Sequence, residues 1–125
     1  MDNKLKVLIA EDEQDARIIY VDILTAAGWQ ADGVADGEEA LKKMEKVKYD
    51  LVLLDIIMPN RDGIGALREI KAHPDKYGNM PVYMLTNIAS DVAIENAITL
   101  GAKGYILKSD TDPTELVDLV KKALD

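Results

Sequence analysis

The 125-residue sequence contains no cysteine and a single histidine. Without cysteine there is no disulfide, no thiolate nucleophile and no thiolate metal site, an absence that suits a reducing cytosol. The lone His73 directly precedes Pro74 at the expected end of a helix and reads as a plain surface residue. A phosphotransfer module needs a reactive histidine exposed in mid-helix, so that class is disfavoured. Basic residues are in the minority: 15 Lys and Arg stand against 23 Asp and Glu, a net charge of −8. Such a surface repels phosphate, which argues against direct nucleic-acid or anionic-membrane binding. Long apolar runs are missing as well. Leu51 to Leu54 is far too short to cross a bilayer, and Met1-Asp2-Asn3-Lys4 lacks the basic-then-apolar pattern of a secretory leader. The expected setting is cytoplasmic, without membrane contact.

What is present fits one domain over residues 1–125. Hydrophobic residues make up 48% of the chain, enough for one sizeable core, and 30% charged residues cover its surface. Short β-like runs alternate with helical patterns. The strand candidates are Leu5 to Ala10, Gln30 to Val34, Leu51 to Asp55, Pro81 to Thr86 and Lys103 to Leu107. Most are continuous apolar runs, as strands buried on both faces should be. Asp32 and Gly33 interrupt the second run, which places it at an edge.

Between the strands, apolar residues fall at helical spacing. Ala16, Ile19, Tyr20, Ile23, Leu24 and Ala27 form one stripe, and Ala40, Leu41, Met44 and Val47 a second. Leu67 and Ile70 mark a third helix that His73-Pro74 ends. Ile94, Ala97 and Ile98 mark a fourth, stopped by Gly101, and Leu116, Leu119, Val120, Ala123 and Leu124 a fifth. Asp36 with Glu39, and Asp112 with Pro113 and Glu115, have the form of capped helix N-termini. Five βα units predict an α/β fold: a doubly wound parallel sheet with helices on both faces and right-handed crossovers.

Ligands of such sheets collect beyond the carboxyl ends of the strands. The residues predicted there are Glu11 and Asp12, Asp55, Thr86 and Lys108. Taken singly, each has a plain explanation. Acids at a helix N-terminus complement its dipole, Thr86 could be an ordinary strand-end hydroxyl, and Lys108 a solvated loop cation. Asp55 stands apart because it directly follows the buried run Leu51-Val52-Leu53-Leu54. Together they suggest a divalent cation, since clustered carboxylates repel one another without one. Oxygen ligands with no His or Cys favour Mg²⁺ over zinc, and Mn²⁺ is expected to substitute. Carboxylates with Mg²⁺ suit phosphoryl transfer, and one of the acids can serve as nucleophile to form a mixed anhydride. Lys108 and Thr86 would stabilise the phosphoryl oxygens.

The sequence closely resembles the receiver domain of bacterial two-component response regulators over its whole length. The resemblance rests on Leu8-Ile9-Ala10-Glu11-Asp12-Glu13, on Asp55-Ile56-Ile57-Met58-Pro59-Asn60-Arg61-Asp62-Gly63, on Met84-Leu85-Thr86, and on Gly101-Ala102-Lys103-Gly104-Tyr105-Ile106-Leu107-Lys108. The second and fourth segments are specific at this spacing, and the other two are weak alone. The resemblance implies a flavodoxin-like fold with strand order 2-1-3-4-5, an order known for this sheet type. It implies that Asp55 accepts a phosphoryl group from a sensor histidine kinase or phosphotransfer protein. Asp12, Asp55 and the backbone carbonyl of Ile57 would hold the metal, with Glu11 helping through water. Thr86 and Lys108 would contact the phosphoryl group. Tyr105 matches an aromatic that swings inward as Thr86 moves, altering the face made by helix four, strand five and helix five. The other reading of Tyr105 is a static, half-buried strand aromatic. Such a domain is a signalling phosphoacceptor that assists its own phosphorylation and dephosphorylation, not an enzyme in the usual sense.

Three departures stand out. Asn87 follows Thr86 where alanine is usual, adding a polar group beside the site. Ser109 follows Lys108 where the family has proline, usually after a cis bond. A cis bond without proline costs about 2.5–4 kcal/mol, so trans is expected, with the flexible Lys108 stem still reaching the phosphate. Phenylalanine is absent, so Leu, Ile, Val and Met must fill the core. The resemblance also implies that the side chains two positions after Asp55 and two after Thr86 border water approach to the phosphoryl group; here both are β-branched, Ile57 and Ile88, which predicts slow autodephosphorylation.

Rival readings fail on particular residues. An aspartate-nucleophile phosphatase needs a second Asp two residues after the first, where this chain has Ile57. A flavin carrier needs a phosphate-cradling loop after strand one, where Glu11, Asp12, Glu13 and Asp15 would repel phosphate. A degenerate receiver, acting only as a protein-binding module, is disfavoured by the intact acids, Thr86 and Lys108. Helix five runs out at Asp125, so no output domain is expected within this sequence. A stand-alone regulator and a piece of a larger protein are equally compatible with it, and the output partner is not specified.

Overall fold

The computed structural model describes residues 4–87 and 91–125. Five strands, β1 (Lys6–Ala10), β2 (Gln30–Val34), β3 (Leu51–Asp55), β4 (Val82–Thr86) and β5 (Gly104–Leu107), form one sheet in the order β2-β1-β3-β4-β5. Every pairing is parallel. The expected strands therefore form within a residue of their predicted bounds, and the expected order is observed.

The alternation of side chains along each strand divides the core in two. Leu8, Ala10, Val52, Leu54, Val82 and Met84 pack against the helices α2 (Gly37–Lys46), α3 (Gly63–Ala72) and α4 (Asp91–Thr99). Val7, Ile9, Leu51, Leu53, Leu85 and Ile106 face α1 (Gln14–Ala26) and α5 (Pro113–Leu124) on the other side. Such double burial is why β1 and β3 read as unbroken apolar runs rather than alternating ones. With no phenylalanine, Leu, Ile, Val and Met do fill these layers, joined by Tyr49 and Tyr77.

The predicted caps form. Asp36 accepts from the Glu39 amide at 2.9 Å, and Asp112 and Glu115 make a reciprocal capping box ahead of α5. Gly101 ends the α4 segment with φ +112°, a left-handed conformation that suits glycine. Two elements are additional: a single helical turn at Pro74–Tyr77 and a 3₁₀ turn at Lys108–Asp110. Proline at the first helical position favours the former.

The stripe predicted on α1 is only partly a core stripe. Leu24 is fully buried, but Ile19 is 55% exposed and Ala27 is exposed. Ile19 lies instead on the rim of a cavity of about 140 Å³ between α1, β5 and the start of α5, with Tyr20, Ile23 and Leu116. Helical spacing identifies a face but not where its edge meets solvent. Among the described residues, no helix is long and apolar enough to cross a membrane.

Candidate functional site

The carboxyl ends of β1, β3, β4 and β5 lie side by side and bring the predicted residues together. Glu11 extends β1 by one residue, its amide donating to the Val34 carbonyl at 2.9 Å, and it is wholly buried. Asp55 closes β3 and is also buried, whereas Asp12 is exposed. Thr86 ends β4 and is buried, and Lys108 directly follows β5. The Lys108 ammonium donates to Asp55 Oδ2 at 2.6 Å and makes a second, shorter contact with Glu11 Oε2. Carboxylate oxygens of Glu11, Asp12 and Asp55 lie within 4.8 Å of one another.

The electrostatics follow from this crowding. Burial pushes the Glu11 carboxyl up, against hydrogen bonds from Lys108 and the Glu13 amide that pull it down. Burial pulls the Lys108 ammonium down, but the contacts with Asp55 and Glu11 outweigh it and leave its pKa raised. Both directions are expected where two buried carboxylates share one ammonium. A doubly charged cation is a natural further partner, and the all-oxygen donor set fits Mg²⁺.

Above the strand ends opens a cleft of about 230 Å³, lined by Asp12, Glu13, Asp55, Ile57, Thr86 and Asn87. Glu11 and Lys108 do not line it; the buried Lys108 ammonium bridges the carboxylates of Glu11 and Asp55 beside it. Ile57 is 68% exposed at this cleft, and its amide donates to Asp55 Oδ1 at 3.3 Å. The extra polar group of Asn87 does stand beside Thr86. Tyr105 is 48% exposed, an outward position. Among the described residues no peptide bond is cis, so Lys108–Ser109 is trans as expected. Ile88, assigned to water access, lies outside the described residues.

Sequence reading missed the supports around these groups. Arg17, one turn into α1, donates from Nη1 to the Glu11 carbonyl at 2.8 Å. Its stem lies across Gly33, where a Cβ would stand 2.8 Å from Arg17 Cγ. The glycine inside β2 thus admits an arginine that braces the acidic turn. The available signal was that glycine, since an isolated glycine in a strand often marks close approach by another group. At the end of the β3–α3 loop, a Cβ on Gly63 would fall 2.1 Å from the Asp55 carbonyl, so only glycine lets α3 start this close to the strand.

Comparison with known proteins agrees with this geometry. The chain is 34% identical to the chemotaxis protein CheY of Thermotoga maritima, covering 94% of this chain and 95% of that one. It is 33% identical to the transcriptional regulatory protein RprY of Bacteroides fragilis over 86% of its own length, but spans only 44% of that protein. A solved receiver domain of a Pseudomonas aeruginosa sensor histidine kinase, with a magnesium ion coordinated in its active-site cleft, superposes with TM-score 0.83 at 28% identity, covering 97% of this chain and 98% of the other. The family model for the response regulator receiver domain matches residues 7–121. With the sheet order, the acidic cluster and a match over nearly the full length in agreement, the chain belongs to the response regulator receiver domain family.

Proposed function

We propose that Asp55 accepts a phosphoryl group from the phosphohistidine of a sensor histidine kinase or phosphotransfer protein, in a Mg²⁺-dependent reaction that switches a protein-binding face. The observation that carries this reading is the Asp55 carboxylate itself. It ends a buried strand, opens onto the cleft, and has Oδ2 held 2.6 Å from the Lys108 ammonium. A carboxylate oxygen of Asp55 attacks phosphorus; the phosphorus–nitrogen bond to the donor imidazole breaks, and its electron pair leaves with the imidazole. The product is an acyl phosphate on Asp55.

Glu11, Asp12, Asp55 and the Ile57 carbonyl are the groups that would hold the metal, with Mn²⁺ an acceptable substitute. When bound, the ion neutralises charge on the phosphoryl oxygens. Lys108 follows the negative charge from the carboxylates to the phosphoryl group, and the Thr86 hydroxyl donates to another of its oxygens. Drawing Thr86 toward the phosphate frees space for the outward Tyr105 to turn in, changing the α4–β5–α5 face read by an output partner. The Ile57 side chain, at the cleft mouth, offers no hydrogen bond to orient a water, so with that of Ile88 it favours slow loss of the phosphoryl group. The domain then acts in a two-component phosphorelay in the cytoplasm.

Incubation with acetyl phosphate and Mg²⁺ should add one phosphoryl group by intact mass, and the Asp55→Asn protein should gain none. Retention of the modification by that variant would sink the assignment. Phosphate release from the purified phosphoprotein should quicken on Ile57→Asn, and an unchanged rate would remove Ile57 from the gate.

A further inference from the structure

We infer that Asp36 and Asn60 are positioning residues for the site, holding the β3–α3 loop in the shape that presents Ile57 beside Asp55; this rests on the function proposed above. Neither residue lines the cleft, and α2 supplies none of the proposed ligands. The loop nevertheless depends on the start of α2. Its start is pinned to β4, the Ile56 amide donating to the Leu85 carbonyl at 3.0 Å, and its end closes on its start, the Gly63 amide donating to the Ile56 carbonyl at 3.0 Å. Among the described residues, its middle makes no backbone hydrogen bond to a strand. There Asn60 adopts φ +63°, a left-handed conformation that most side chains avoid and asparagine tolerates.

Three consecutive residues of the α2 N-terminus hold that middle. Asn60 Nδ2 donates to Asp36 Oδ2 at 2.6 Å. The Gly37 amide donates to the Arg61 carbonyl at 2.9 Å, an approach that a Cβ on Gly37 would block, 2.5 Å from the same oxygen. The Arg61 guanidinium pairs with Glu38. Asp36 Oδ1 caps α2 by accepting from the Glu39 amide at 2.9 Å. The second oxygen receives the Asn60 side-chain amide, and Asn60 itself lies in the loop, outside any helix. They fix the loop, and through it the main chain of Ile57, which borders the cleft and whose carbonyl is a proposed metal ligand. The buried Asp36 carboxylate therefore ties helix and loop together from outside the site.

Two substitutions separate this role from capping. Asn60→Gly keeps the left-handed backbone and removes the donor. Asp36→Ser keeps a side-chain cap and removes the oxygen that Asn60 uses. Each should weaken Mg²⁺ binding by about tenfold, the effect of one well-placed hydrogen bond. The double variant should bind no more weakly than the worse single one. In metal-free protein, amide exchange should quicken over residues 56–62 while β3 stays protected. Tyr49→Phe serves as control, since it removes a different bridge, Tyr49 Oη to Asp32 at 2.6 Å, without touching the loop. It should lower the unfolding midpoint with no change in Mg²⁺ affinity. Should Asp36→Ser fail to fold, Asn60→Gly alone decides. Variants that lose stability but bind Mg²⁺ as the parent does would overturn the positioning role and leave the proposed function standing. A parent protein that binds no Mg²⁺ would overturn both.

Discussion

Lys108 reaches across 53 residues of sequence to donate to Asp55 Oδ2 at 2.6 Å. The same ammonium also meets Glu11, so a single cation on the end of β5 compensates two buried acids on β1 and β3. All three side chains are 9% exposed or less, where breaking an ion pair leaves a charge with little water to receive it.

Replacing Lys108 by Met should therefore cost about 3–5 kcal/mol of unfolding free energy in metal-free buffer. Mg²⁺ should restore more stability to this variant than it adds to the parent, because cation binding to the folded state stabilises it by mass action. Urea denaturation with and without Mg²⁺ measures both. Equal stability of the two proteins in chelator would show that Lys108 is not the compensating charge.

Gly63→Ala should be far more damaging than an ordinary helix-start substitution. The added methyl would fall 2.1 Å from the Asp55 carbonyl, a backbone atom that no side-chain rotation can relieve. The expected loss is about 3 kcal/mol or more, at the upper end of overpacking effects. Chemical denaturation reads it directly, and a loss below about 1 kcal/mol would mean that α3 does not sit this close to β3.

Gly33→Ala and Arg17→Ala should act on the same contact. The new methyl displaces the Arg17 stem, and the truncation removes the Nη1 bond to the Glu11 carbonyl. Each should destabilise by about 1 kcal/mol, and the double variant should fall short of the sum. Additive losses in thermal or urea unfolding would separate the two residues.

Asp36 should contribute to acid sensitivity. The hydrogen bond from the Glu39 amide, helped by Asn60, holds its carboxyl below the ordinary value of 3.8. With the folded pKa depressed, the unfolded chain binds more protons over that range, so stability rises with pH there. Asp36 therefore contributes fully above the ordinary carboxylate range, and the contribution is lost as pH falls through the folded pKa, below 3.8. The stability gap between the parent and Asp36→Asn should be flat near neutrality and shrink below about pH 4. A gap independent of pH down to acid unfolding would contradict the assignment.

Much of this was legible from residues alone. The runs of β1, β3 and β4 are apolar because both faces are covered, and Asp36, Asp112 and Gly101 mark helix boundaries through local hydrogen bonding and backbone freedom. The acids, Thr86 and Lys108 could be placed on one rim because parallel strands must end on the same side. Such features depend on neighbours in sequence or on the handedness of βαβ units, and a sequence carries both.

Tertiary structure alone decided the rest. The exposure of Ile19, the division of the Lys108 ammonium between Glu11 and Asp55, the seat of Arg17 on Gly33, and the tie between Asp36 and Asn60 all join segments distant in the chain. Periodicity fixes which face of a helix turns inward, but not which partner side chain waits there. Only the packed sheet sets those distances. The residue types gathered at the candidate site were therefore legible in the sequence, and the bracing that holds them in place emerged only once the strands were brought side by side.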